Sequence, residues 1–191
     1  MNFIMLAGKK GSGKTTIADL MESQGFEVIS IATPIKNAAR ALFLDTPYTS
    51  LGKGDTVPEL DAMSYREILQ NMGLGLRDFK EDFWVKHLLM RARYSHGTRF
   101  VVDDFRFPNE PQVLRDLGHH VGTVRIVVNG DEGHDDEHVT ENSLEDFDFD
   151  IILDNDCKMA VGENGPYIEY EYAPVQHAQF ILNAYNEGRL I

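Results

Sequence analysis

Short apolar runs and amphipathic stretches alternate from the first residues of the chain. Asn2–Ala7 is apolar and predicts a strand, Lys14–Gln24 has helical periodicity, and Glu27–Ile31 predicts a second strand. Thr33 followed by Pro34 supplies an N-cap and a first helical residue, predicting a helix to about Phe43. Asp45–Asp61 has no period and contains Pro47, Gly52, Gly54 and Pro58, the composition of a loop. Ser64 and Glu67 have capping-box spacing; the helical pattern behind them passes Leu69 and Met72, breaks near Gly73 to Gly75 and resumes over Phe83 to Arg93. Arg99–Asp103 reads as a strand, Asn109–Leu117 as a helix and His120–Val128 as a strand. An acidic loop, Asn129–His138, leads to a short helix over Glu141–Phe147 and a strand at Asp150–Leu153. Met159–Val161 and Tyr167–Tyr172 flank Gly162-Glu163-Asn164-Gly165 as a hairpin, and Pro174–Glu187 forms a closing helix stopped by Gly188. This alternation predicts an α/β fold of three layers, with helices on a mostly parallel central sheet.

The 191 residues suffice for one domain with a sizeable core, and the 42% apolar and 26% charged content is that of an ordinary globule. A formal charge of −13 excludes a protein whose main task is gripping polymeric nucleic acid, so any phosphate-binding power must be local. Cys157 is the only cysteine, which excludes an intrachain disulfide and fits a reducing compartment. No apolar stretch reaches membrane-spanning length, and Gly8-Lys9-Lys10 interrupts the opening run too soon for a secretory signal. The expectation is a soluble cytoplasmic protein without a membrane partner.

Candidate chemistry begins with Gly8-Lys9-Lys10-Gly11-Ser12-Gly13-Lys14-Thr15, a complete G-x-x-x-x-G-K-[ST] between a strand and a helix. Gly8, Gly11 and Gly13 permit positive φ, so that successive N–H groups converge on phosphate oxygens, and the helix opened by Lys14 adds its dipole. The expected triphosphate site therefore comprises Gly8, Lys10, Gly11, Ser12, Gly13, Lys14, Thr15 and Thr16. Lys14 would reach the β- and γ-phosphates, and the Thr15 hydroxyl would ligate Mg²⁺. The motif makes the predicted fold that of a P-loop NTPase.

A second element is the apolar strand ending in Asp103-Asp104, followed by Phe105-Arg106-Phe107-Pro108-Asn109-Glu110. Asp103 is expected to orient Mg²⁺ through water, with Asp104 in reserve. A strand-end turn with solvated acids is the alternative. Arg106 is placed to clamp an acceptor phosphate, or else to pair with Glu110 or Asp104.

A third element comprises Ser64, Arg66, Leu69, Gln70 and Gly73, then Arg77, then Trp84-Val85. With the phosphate loop, Asp103-Asp104/Arg106/Asn109-Glu110 and the later His138/Thr140/Glu141, this ordered set resembles the phage-type deoxynucleoside monophosphate kinases. These are a branch of the P-loop nucleoside monophosphate kinase group, and the likeness runs over roughly residues 4 to 155.

The resemblance implies a single kinase domain over 1–191, with a core at 1–44 and 96–191, an acceptor-binding helical insertion at about 45–95 and a lid-like acidic loop at about 129–142. It implies transfer of the γ-phosphoryl of ATP, with Mg²⁺, to a deoxynucleoside 5′-monophosphate. Lys14, Asp103 and Arg106 are then the catalytic candidates, and Arg66, Gln70, Arg77, Trp84, Asp104, Arg106, His138 and Glu141 the acceptor-binding ones. Gln70 can pair with a base edge and Phe83 or Trp84 can stack on it, although core packing is the favoured reading for the aromatics, because amphipathic helices bury such residues routinely. Arg66 and Arg77 also suit solvated pairing with Glu67 or Asp78, and Thr140 suits ordinary capping. Asn129–Thr140 contains no Arg or Lys, unlike the arginine-bearing lids of many such kinases, so Lys9, Lys10 or Arg125 must be weighed as substitutes. His134, Asp135, Asp136 and His138 match no closed zinc spacing. Partners are expected to be small nucleotides, the C-terminal hairpin and helix offer a surface for a homodimer, and a phage origin would place the enzyme in the host cytoplasm. Two alternatives remain: a P-loop kinase for ribonucleotides or a coenzyme precursor, and a regulator that binds nucleotide without turnover.

Overall fold

The computed structural model describes residues 1–48, 50–52, 54–128, 143–155, 159–162, 165–168 and 173–191. In chain order the elements are β1 (Asn2–Ala7), α1 (Lys14–Glu22), β2 (Glu27–Val28), α2 (Ala32–Leu42), β3 (Thr56–Val57), a 3₁₀ turn (Pro58–Leu60), β4 (Met63–Ser64) and α3 (Tyr65–Phe79). They continue as α4 (Phe83–Tyr94), β5 (Arg99–Val102), α5 (Asn109–Asp116), β6 (His120–Val127), β7 (Ile151–Asp154), β8 (Met159–Gly162), β9 (Gly165–Ile168) and α6 (Ala173–Asn186). The chain divides into two compact units, one of Met1–Ile29 with Arg91–Ile191 and one of Ser30–Met90.

The first unit is built on a five-stranded sheet in the order β2-β5-β1-β6-β7, every pairing parallel. Parallel strands are covered on both faces, which is why β1 reads as a continuous apolar run. Ile4 and Leu6 point to one face, where Ile17 and Met21 of α1 and Ile181 and Leu182 of α6 complete a buried cluster. Phe3 points to the other, stacked on Phe100 at 5.2 Å and meeting the His119 ring edge-on at 5.7 Å. The period of two in a strand thus gives both faces a core. After β1 the chain goes to β2 and β5 on one side, then to β6 and β7 on the other. The carboxyl end of β1 is therefore the switch point of the sheet, where parallel folds hold ligands. The C-terminal hairpin of β8 and β9 is antiparallel.

In the second unit, Ala39, Phe43, Val57, Tyr65 and Ile68 form the core. The capping box at the start of α3 is present in both directions: Glu67 N–H donates to Ser64 Oγ at 3.2 Å and Ser64 N–H to Glu67 Oε2 at 2.7 Å. The Ser64 hydroxyl also donates to Glu67 Oε2 at 2.6 Å, and this bond first, with that from the Ser64 N–H, holds the Glu67 carboxyl below its ordinary pKa.

Four local expectations need correction, one being the Asp45–Asp61 loop, inside which β3 and the 3₁₀ turn form. α2 starts at Ala32, before the Thr33-Pro34 pair, because Ser30 Oγ accepts the Thr33 N–H at 3.1 Å and the first turn needs no N–H from Pro34. α3 runs unbroken through Gly73 and Gly75 to Phe79. Glycine costs a helix about 1 kcal/mol each, but the capping box and a bond from Trp84 Nε1 to the Gly73 carbonyl at 2.8 Å hold the helix together. Ser143–Asp146 is a turn rather than part of a helix. Among the described residues no helix is long and apolar enough to cross a membrane.

Candidate active site

The phosphate loop follows from what its glycines permit. Gly8, Gly11 and Gly13 have φ of 149°, 85° and 91°, a region that side-chain-bearing residues rarely occupy. Gly8 is required twice over, since a Cβ there would collide with the Ile126 carbonyl of β6. Gly13 is the N-cap residue of α1, so the loop feeds directly into a helix N-terminus, where exposed N–H groups and the dipole favour an anion. Ser12 is 1% exposed. Its carbonyl accepts from Asn155 Nδ2 at 2.9 Å.

Lys14, the first residue of α1, curls back over this loop. Its ammonium donates to the Gly8 carbonyl at 2.6 Å, the Lys9 carbonyl at 2.7 Å and Ser12 Oγ at 3.2 Å. Donation to these acceptors holds the charge over the loop.

Asp103 lies immediately after β5, beside the carboxyl end of β1, and Thr15 Oγ1 donates to its Oδ2 at 3.5 Å. A hydroxyl and a carboxylate from two different elements thus converge at the mouth of the loop. Both are hard oxygen donors of the kind that bind Mg²⁺ together with water and phosphate oxygens, so the residues present fit that ion.

A cleft of about 340 Å³ opens at this point. Lys9, Lys14, Arg106 and Arg125 line it together with Asp103, Asp104 and Glu145, and Phe105, Ile126 and Phe149 supply apolar wall. In a chain of net charge −13, four basic side chains in one cleft are the local concentration that anion binding requires. Arg125 is held over the Phe149 ring at 5.7 Å and donates to the Leu144 carbonyl at 3.5 Å. Phe105, Phe147 and Phe149 form a ring cluster with centroids 4.8 to 5.9 Å apart.

Arg106 is positioned through its backbone. Glu110, 2% exposed and in the first turn of α5, accepts the N–H of Arg106 at 2.9 Å and of Phe107 at 3.2 Å. Ser143 Oγ donates to the Arg106 carbonyl. Glu110 therefore shapes the turn that delivers Arg106 to the cleft, a role that its sequence position as a mere salt-bridge partner did not suggest.

In the second unit, Arg66, Gln70, Gly73 and Arg77 lie on α3. At ~100° per residue these positions fall within about 60° of arc, so they form one stripe. Arg66, Gln70 and Arg77 are all half-buried. The stripe is polar apart from Gly73, whose Cα faces Ile35 of α2. Trp84 is 5% exposed and bonded to Gly73, so its surroundings are those of a packed residue that fastens α4 to α3. Of the remaining expected site residues, Asp104 lines the cleft, while His138 and Glu141 lie outside the described residues, as does the His134–His138 cluster. Asn155 was missed as a site residue because it acts on a backbone carbonyl far from it in sequence, where no motif marks it; Glu110 stood in the motif that follows Asp103, but its role on backbone N–H groups of a turn was not visible there.

The family model described as deoxynucleotide monophosphate kinase matches residues 53–162, which include the α3 stripe and the Asp103–Glu110 segment. A protein of Acanthamoeba polyphaga mimivirus to which deoxynucleotide monophosphate kinase activity is ascribed is 30% identical over 177 aligned positions, covering 81% of this chain and 89% of its own. Among solved structures, a protein of Chloroflexus aurantiacus assigned as a kinase superposes with TM-score 0.51 at 13% identity, over 98% of this chain and 97% of its own. TT1252 of Thermus thermophilus does so with TM-score 0.50 at 14% identity, over 96% of each. At such identities the two structures speak for the fold alone, an α/β architecture. The chain therefore belongs to the deoxynucleotide monophosphate kinase family of ATP-dependent nucleotide kinases.

Proposed function

We propose that this protein transfers the γ-phosphoryl group of ATP to a deoxynucleoside 5′-monophosphate. An oxygen of the monophosphate attacks the γ-phosphorus, the bond from that phosphorus to the β–γ bridging oxygen breaks, and ADP and a deoxynucleoside diphosphate leave. The observation that carries the reading is the convergence of Lys14, Thr15 and Asp103 at the mouth of a basic cleft.

Such a transfer asks little covalent chemistry of the protein; it asks for charge, alignment and exclusion of water. The loop N–H groups of Gly8–Thr15 bind the donor phosphates, and the Lys14 ammonium shifts from loop carbonyls to phosphate oxygens. Thr15 and Asp103 would hold Mg²⁺, which when bound offsets charge on the β- and γ-phosphates, with Asp103 acting through water. Arg106, delivered to the cleft by Glu110, holds the acceptor phosphate with a planar fork of donors. Arg125 supplies the further positive charge that the acidic loop at about 129–142 lacks.

The α3 stripe is the acceptor-binding part of this proposal. Arg66 and Arg77 offer charge to the monophosphate, and Gln70 between them offers one donor and one acceptor to a base edge. Domain boundaries follow as proposed from the family: a core with a helical insertion at about 45–95 that carries the acceptor.

The test is to incubate the purified protein with Mg-ATP and each common deoxy- and ribonucleoside monophosphate in turn and to resolve the products. One or more deoxynucleoside diphosphates are expected. Phosphorylation of ribonucleotides or of no monophosphate at all would overturn the acceptor assignment.

A further inference from the structure

Asn155 is 2% exposed and follows β7, in a part of the chain distant from the phosphate loop. Its side-chain Nδ2 donates at 2.9 Å to the carbonyl of Ser12, a bond between residues separated by 143 positions. Its own backbone N–H donates to the Val127 carbonyl at 2.6 Å, which anchors Asn155 to the end of β6. The amide thus ties the loop to the rigid sheet. It reaches the loop through the space that Gly13 leaves open: a Cβ on Gly13 would stand 3.0 Å from Asn155 Nδ2.

The bond falls on the peptide unit whose direction matters. In a planar trans peptide the carbonyl of one residue and the N–H of the next point in opposite directions. Holding the Ser12 carbonyl toward Asn155 therefore turns the Gly13 N–H the other way. Glycine at 13, with φ of 91°, makes rotation of that peptide cheap, and a rotated unit would present a carbonyl where a phosphate cradle needs a donor. A loop built from glycines needs an external lock to stay in one form.

The other half of the Asn155 amide argues that stability is not its purpose. Among the described residues its Oδ1 is buried without a hydrogen-bond partner. A buried amide satisfied at only one end destabilises a fold relative to an apolar side chain of the same shape.

We propose that Asn155 is a positioning residue for the donor nucleotide, locking the Ser12–Gly13 peptide so that the Gly13 N–H faces the phosphates. The proposal rests on the reading of Gly8–Thr15 as the donor site.

Asn155→Leu removes both the bond and the orphan oxygen, and Asn155→Asp keeps the shape but sets a carboxylate against the Ser12 carbonyl. Calorimetric titration with ADP, steady-state KM for ATP and for a deoxynucleoside monophosphate, and melting temperature are measured for both variants, for the wild-type protein and for Lys14→Ala. Affinity for ADP and KM for ATP are expected to weaken about tenfold in both Asn155 variants. The monophosphate KM is expected to stay within about twofold, with Asn155→Leu melting no lower than wild type. Unchanged ADP affinity in the two variants, equal losses for both substrates, or failure of both to fold would overturn the lock. Wild-type protein that bound no ADP, and so did not differ from Lys14→Ala, would instead bring down the donor-site reading and the lock with it.

Discussion

Thr15 Oγ1 lies 3.5 Å from Asp103 Oδ2, although 88 positions separate the two residues. Thr15 is brought there by the first turn of α1 and Asp103 by the end of β5, so the pair exists only because β1 and β5 are neighbours in parallel register, with Met5 opposite Val102. Two oxygen donors assembled by the sheet itself are a rigid support for a charge-bearing ion.

Asp103→Asn keeps the size of the side chain and removes its charge. It is expected to lower kcat by roughly a hundredfold or more, while the melting temperature stays close to wild type, because the residue is half-buried at the edge of the cleft. Chelation of divalent cations with EDTA is expected to abolish turnover in the wild-type protein, with recovery on added Mg²⁺. Full activity in EDTA would remove both residues from an ion-binding role.

Arg66→Ala and Arg77→Ala are expected to act on the acceptor alone. Each should raise the monophosphate KM by about tenfold or more, the loss of one charge-assisted contact, and leave the KM for ATP within about twofold. Gln70→Ala should change the relative rates with different bases more than the rate with the best one. Steady-state kinetics with both substrates varied separates these effects, and parallel increases in both KM values would point to a damaged fold instead.

Glu110 shapes the turn that carries Arg106, accepting two backbone N–H groups from a site 2% exposed. Glu110→Ala leaves both donors without that acceptor and is expected to cost about 1.5–3 kcal/mol or more of stability, with a loss of turnover at temperatures where the protein remains folded. Arg106→Ala should reduce turnover without the stability loss. Denaturant unfolding beside kinetics tells the two apart.

His119 gives stability a pH dependence. Burial against Phe3 lowers its pKa, as do, to a smaller extent, the N-terminal ammonium, Arg93 and His120. His177 is lowered by burial too, opposed by its bond to the Asp154 backbone. A lowered imidazole pKa means that the unfolded chain takes up the proton first. The contribution is complete above the unfolded value of ~6.5 and is lost as pH falls toward the folded values. The melting temperature is expected to drop between pH 7.5 and pH 5.5, and to drop less in His119→Leu. An equal drop in that variant would clear His119 of the effect.

Features written in local sequence were legible: the phosphate loop, whose glycines have φ values that other residues resist, and the capping box of Ser64 and Glu67, whose spacing is its mechanism. The apolar runs Asn2–Ala7 and Arg99–Val102 announced buried parallel strands, and Asp103 at the end of one followed from that. The uninterrupted course of α3 past Gly73 was illegible, because it depends on Trp84 Nε1 reaching the Gly73 carbonyl from another helix. Trp84 itself suited a base or a core, with core packing the favoured reading. Asn155 carried no local signal at all: its partner is a backbone carbonyl on the far side of the sequence, and backbone partners leave no trace in residue identity. The helix expected from Glu141 to Phe147 had composition in its favour, but Ser143 is engaged with the Arg106 carbonyl and its neighbours turn.

The most direct measurement is the release of ADP from Mg-ATP with and without an added deoxynucleoside monophosphate, together with quantification of the diphosphate product. Release that depends on the monophosphate, equals the diphosphate formed mole for mole and disappears in Lys14→Ala is the expected result. ADP released at the same rate without any monophosphate would contradict the phosphotransferase account and leave a nucleotide hydrolase or switch in its place.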